Sequence, residues 1–144
     1  SLWVSCHVDD VARAFVGAVQ NPAAFGKAYH TTGEEWLTWD QYHAAIAEAI
    51  NAPPPVIIHI PTDALMKIAP QRAASVGDNF QFNNIFDNSA ARRDLGFRYT
   101  IPLVQGMRRA VQWLDDHQRL DDDGNDPEHD RIIRRWRELA SQFV

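Results

Sequence analysis

Ser5–Gln20, SCHVDDVARAFVGAVQ, reads as the end of a strand that turns directly into a helix. Val4, Cys6 and Val8 alternate with Trp3, Ser5 and His7, the period of a strand. Asp9 and Asp10 then supply carboxylates where a helix N-terminus needs acceptors and favours negative charge. Val11, Ala14, Phe15, Ala18 and Val19 recur at the three-and-four spacing of one helix face, which predicts a helix with one buried side. His7, Asp9 and Asp10 could be read as metal ligands, and Cys6 with His7 as a nucleophile and its base. Strand neighbours point to opposite faces, however, and a helix cap explains both aspartates without a metal.

The chain has 144 residues, enough for one ordinary domain. It begins at Ser1 against strand-like residues, which suggests a piece of something longer. A net charge of -5 argues against nucleic acid or an anionic membrane as a default partner. No apolar run approaches the roughly 20 residues of a membrane span and no signal peptide is visible, so the expected compartment is the cytoplasm. The single cysteine has no disulfide partner within the chain and lacks the companions of a structural zinc site.

Outward from the opening stretch, Ala28–Thr32, Val56–Ile60 (VIIHI) and Asn84–Phe86 are β-prone runs, as is Leu2–Cys6. Thr38 is placed to cap a helix carrying Trp39, Tyr42, Ile46, Ala47 and Ile50, which Pro53–Pro55 stop. Trp36, Leu37 and Trp39 at its entrance are read as packing. Thr62 should cap a short helix, and His59 reads as a core histidine with a satisfied hydrogen bond. Residues 71–83 show no periodicity and contain Phe80 and Phe82 as their only large apolar groups, the profile of a mobile or ligand-facing loop. Asp87, Asn88 and Ser89 offer caps for a helix ending at Gly96. Thr100 and Pro102 open a long helix with Val104, Met107, Val111 and Leu114 on one face. Residues 121–130 (DDDGNDPEHD) read as an acidic linker between a main portion, 1–120, and a docked C-terminal helix, 131–144. They do not make a calcium loop, because Gly124 at the sixth position puts Arg119 at the first. The last helix, from about Glu128, places Ile132, Ile133, Trp136, Leu139, Ala140 and Phe143 opposite an arginine-bearing face.

Chemistry-bearing motifs are missing. No glycines stand in a G-x-G-x-x-G arrangement, no Tyr-x-x-x-Lys pair occurs, and neither a G-x-S-x-G elbow nor H-E-x-x-H is present.

Four segments in order, His7–Ala14 (HVDDVARA), Gly26–Gln41 (GKAYHTTGEEWLTWDQ), Phe86–Phe97 (FDNSAARRDLGF) and Gly106–Leu114 (GMRRAVQWL), resemble the C-terminal part of extended short-chain dehydrogenase/reductases, the NAD-dependent epimerase/dehydratase family. The resemblance implies an α/β fold, mostly helical with a few short strands. It also implies the C-terminal portion of a Rossmann-type protein lacking its nucleotide-binding half. In such proteins that missing half holds NAD or NADP and the tyrosine acid/base of isomerase or oxidoreductase chemistry. The resemblance implies that the portion seen here binds the small-molecule substrate, with a sugar or nucleotide-sugar as the expected class. Trp3, Arg72, Asp78 and Phe80 are the implied substrate-binding residues, with no catalytic, cofactor or metal residue on this chain. Departures are visible. Trp3 and Ser75 stand where sugar-nucleotide epimerases carry diphosphate-binding arginines, with Arg72 near enough to substitute, and Ala90 replaces a frequent lysine. A non-catalytic relative that binds RNA or a protein is the alternative. Strand edges left unpaired by the missing half should promote self-association.

Without a glycine fingerprint the isolated chain should not bind the dinucleotide. Calorimetry against NAD is expected to give no heat of association, and stoichiometric micromolar binding would refute this.

Overall fold

The computed structural model describes residues 1–120, 124 and 126–143, the Phe143 side chain excepted. Six α-helices dominate it: α1 (Val8–Ala18), α2 (Trp39–Ala49), α3 (Thr62–Ile68), α4 (Ser89–Leu95), α5 (Leu103–Asp116) and α6 (Pro127–Ala140). The described strands are β1 (Leu2–Trp3) and β2 (Leu37–Thr38), antiparallel, with Leu2 opposite Thr38 and Trp3 opposite Leu37. A π-helical turn spans Val76–Phe80, and a 3-10 turn spans Pro22–Ala24.

The mostly helical character expected from the sequence holds, but most of the predicted strands do not form. Among the described residues Leu2–Cys6 pairs only through Leu2 and Trp3, while Ala28–Thr32, Val56–Ile60 and Asn84–Phe86 lie outside any ladder. Their β propensity is real, but a strand exists only where a neighbour supplies backbone hydrogen bonds. Side chains substitute in two places. Buried Asn88 donates from Nδ2 to the Thr32 carbonyl at 2.9 Å and accepts from the Thr32 N–H at 3.0 Å, closing the pairing a strand would have made. Asn83 Oδ1 accepts from the Leu2 N–H at 2.7 Å, while the Asn84 N–H donates to the Leu2 carbonyl at 2.9 Å.

The helix starts follow local chemistry, with corrections. Thr38 caps α2 and forms a reciprocal capping box with Gln41. Asp126 caps α6 through the N–H groups of Glu128 and His129, so the helix begins at Pro127, inside the stretch read as linker. Residues 121–123 and 125 of that linker lie outside the described residues. Thr62 is the first residue of α3 instead of its cap, and Pro61 precedes it. Gly96 ends α4 at φ 67°, as its position after Leu95 predicts. Residues 71–83 are not an open loop, because their middle winds into the π-helical turn. His59 is no core residue: its side chain is 75% exposed and Nε2 stands 3.0 Å from the Asp40 carboxylate.

The core sits where α1 crosses α4. Ala14, Ala91 and Phe97 are buried there, with Cys6, Tyr29 and Leu95 packed against them. Small residues permit the approach, since a Cβ on Gly17 would lie 2.1 Å from the Leu95 carbonyl oxygen. Asn21 secures the crossing by donating to the carbonyls of Gly17 (2.9 Å) and Asp94 (2.7 Å). The predicted apolar stripe of α1 is only half right. Ala14 is buried, whereas Phe15 and Val19 are 71% and 69% exposed.

Asp10 departs furthest from its expected role. His7 is the cap of α1, accepting from the Asp9 N–H at 3.2 Å, and Asp10 is buried within the first turn. Its carboxylate reaches across to the chain entering α5. One oxygen accepts from the N–H groups of Thr100 (2.8 Å) and Ile101 (3.0 Å). The other accepts from the Thr100 hydroxyl (2.7 Å) and from the Arg13 guanidinium. Burial alone would raise the Asp10 pKa. The Thr100 side-chain and backbone bonds, the Ile101 bond and the Arg13 charge together hold it below its ordinary value.

Asp10→Ala should therefore cost about 3 kcal/mol, against about 1 kcal/mol for a helix cap, because it leaves buried N–H groups unmet. A carboxylate with a lowered folded pKa stabilises fully above its unfolded value of about 3.9 and loses that contribution as pH falls through the folded value. Denaturant melts from neutral pH to below pH 4 should show this acid loss in the parent and a flatter profile in Asp10→Ala.

Candidate functional site

Of the four residues implied as substrate-binding, Trp3 and Phe80 meet. Trp3 on β1 stacks on Trp39 at the start of α2, ring centroids 5.5 Å apart and planes 19° from parallel. Phe80, at the end of the π-helical turn, sets its edge against both indoles, at 5.0 Å from Trp3 and 5.4 Å from Trp39. The Trp39 Nε1–H donates to the Phe80 carbonyl at 3.3 Å, and the Ser1 hydroxyl donates to the same oxygen at 2.7 Å. Tyr42 continues the cluster one turn along α2, edge-on to Trp39 at 5.7 Å. These rings pack on one another in stacked and edge-to-face geometries, which ties the 76–80 turn to β1 and α2.

Arg72 is engaged with the start of α6. Its guanidinium pairs with Asp126 and, at 3.8 Å, with Glu128. Hydrogen bonds from Arg72, His129 and Glu128 hold the Asp126 pKa below its ordinary value, the Arg72 bond contributing most. Arg72 also borders a cavity of about 320 Å³, whose walls include Ile58, Ile60, Leu65, Ile132 and Ile133. Apolar walls with one cation and His129 at the margin suit an apolar group better than a sugar diphosphate. Asp78 is exposed on the π-helical turn.

A second concavity runs along α1 and α5. Two hollows of about 220 and 560 Å³ share His7, Val8 and Ala110, one continuing past Cys6 and Tyr99 and the other past Trp113 and Leu114. Gly106 lets α5 close on His7, since a Cβ there would stand 3.1 Å from the imidazole. Glu35, which no sequence signal marked, accepts from the Leu103 N–H at 2.7 Å and from the Tyr99 hydroxyl, anchoring the first turn of α5. Burial first, and then the Glu35 carboxylate, push the Tyr99 phenol up from its ordinary value. Cys6 is no activated nucleophile. Burial, reinforced by the Asp10 charge, pushes its thiol up to about 11. His7 caps α1 with Nδ1 and is not bonded to the thiol. Among the described residues no group of three or more His, Cys, Asp and Glu side chains could hold a metal ion.

These features define a mostly helical α/β chain with large apolar concavities and, among the described residues, no assembled catalytic constellation. No protein-family profile matches the chain, and no solved structure does. It is similar to the chloroplast stem-loop binding protein of 41 kDa b from Arabidopsis thaliana, 28% identical over 101 residues, or 70% of this chain. The match covers 26% of that protein, so the chain spans about a quarter of its length. No helix among the described residues is long and apolar enough to cross a membrane.

With its thiol pushed up to about 11, Cys6 should be alkylated by iodoacetamide at pH 8 at least about tenfold more slowly than a free cysteine. Mass spectrometry over time, native against denatured, reads this directly. Equal rates in both states would show that the thiol is neither buried nor suppressed.

Proposed function

We propose that this chain is the ligand-side portion of a longer protein of the extended short-chain dehydrogenase/reductase type. A preceding dinucleotide-binding half would hold NAD or NADP and carry the tyrosine chemistry. This portion would close over a small-molecule substrate and would not be competent alone. The observation behind the reading is an apolar face that nothing among the described residues covers. Val8, Phe15, Val16 and Val19 along α1 are 69–73% exposed, and Trp113 on α5 is 50% exposed. Apolar surface gathered in this way marks an interface. The extended segment Val56–Ile60 adds unpaired backbone, with no ladder partner among the described residues. The four segments resembling epimerase/dehydratases supply the kind of partner.

A second reading is favoured by the similarity to a stem-loop binding protein. In it the same frame has a binding role and no chemistry, and the nucleic acid that the net charge argued against becomes a partner. Sequence upstream of Ser1 separates the two. A glycine fingerprint with Tyr-x-x-x-Lys supports the enzyme, and its absence supports the binding protein.

The covering of α1 is testable on the chain itself. Sedimentation velocity should show concentration-dependent association, and Val16→Asp should shift the population toward monomer without lowering the melting temperature. In a longer polypeptide carrying the preceding half, the same substitution should destabilise. A parent that stays monomeric at high concentration, with Val16→Asp harmless in both contexts, would refute the docking role.

A further inference from the structure

The cleft beside the 97–100 segment differs from the other concavities in its chemistry. It encloses about 290 Å³ and is lined by Glu34, Arg92, Phe97, Arg98, Tyr99 and Thr100. On a chain of net charge -5, two guanidinium groups here face a single carboxylate. Arg92 is held by Glu34, which fixes one corner of its fork and leaves further N–H donors open. Arg98 has no ion pair or side-chain hydrogen bond among the described residues. Nearby cations are used differently. Lys27 and Arg93 both pair with Asp94, and Arg13 pairs with buried Asp10 while donating to the Thr100 hydroxyl at 2.5 Å. Thr100, which also lines the cleft, is itself held by Asp10. A lone exposed arginine is ordinary. Two that flank a concavity, one oriented by an acid and one uncompensated, form a recess for a tetrahedral oxyanion, to which the guanidinium fork is matched.

We infer that this cleft is a phosphate-binding site, with Arg92 and Arg98 as its two donors. The group bound is either a backbone phosphate of a structured nucleic acid or the phosphate of a nucleotide. The nucleic-acid source deepens the stem-loop reading and rests on it, whereas the nucleotide source does not. Two contacts make the site a local contributor whose salt dependence is modest, with a slope of about −2 in log affinity against log salt.

The test titrates a fluorescent RNA stem-loop by anisotropy, and ADP by calorimetry, against the parent chain and the variants Arg98→Glu, Arg92→Ala and Arg134→Glu. Circular dichroism melts confirm that each variant is folded. Arg134 lies exposed on α6, away from the cleft lining, and serves as the control. Arg98→Glu is expected to weaken the stem-loop about tenfold or more and to reduce the salt slope by about one, with Arg134→Glu within about twofold of the parent. ADP binding lost in Arg98→Glu, with no stem-loop binding by the parent, assigns the site to a nucleotide. Stem-loop binding that Arg98→Glu leaves unchanged overturns the site and spares the stem-loop reading. No binding of either probe at millimolar concentration overturns both.

Discussion

The buried carboxylate of Asp10 is the tie on which the arrangement of α1 and α5 depends. Four donors from three residues converge on it, and two of them are backbone N–H groups of the segment that leads into α5. A buried charge is tolerated only when it is fully hydrogen-bonded, and here three of the four donors come from outside the helix that carries it. The consequence is positional. The entry to α5 is thus tied to the first turn of α1, and Glu35 holds the first N–H of α5. His7, Val8 and Ala110 are thereby kept at one edge, where both hollows meet.

Around that tie the chain does with side chains what a sheet would do with its backbone. Asn88 pairs with both backbone groups of Thr32, and Asp94 gathers Arg93, Lys27 and Tyr29. Those three partners, Arg93 foremost, hold the Asp94 pKa far below its usual range. Such contacts fix segments without forming a ladder. The extended residues 28–32 therefore remain ordered while contributing no strand of their own.

Surface chemistry divides the molecule into unlike regions. The α1 and α5 side is apolar and uncovered, the Trp3, Trp39 and Phe80 rings are satisfied by one another, and the cleft at Arg98 is cationic. The first exposes large aliphatic groups, which gain most from removal of water. The aromatic rings pack on one another, one stacked pair and two edge contacts. Arg72, the candidate diphosphate ligand, has two carboxylates as partners that an incoming anion would have to displace.

Sequence alone determined the helices whose signals are local. Thr38 as a cap, the stripe of α5 and the left-handed Gly96 were legible because capping, periodicity and glycine freedom act within a few residues. Other helix ends carried no such mark: Gln20, Asn51 and Gln118 have positive φ of 54°, 54° and 52° without being glycine. The apolar face of α1 was legible as a stripe, but not which half of it would be buried. The answer depends on α4, some 75 residues on, meeting the Ala14 and Gly17 side. Only the tertiary structure decided that Asp10 reaches Thr100 and Ile101 instead of capping its own helix, that Glu35 belongs to α5, and that VIIHI finds no ladder. Each depends on a partner distant in sequence, and residue type and spacing carry no record of where that partner will lie.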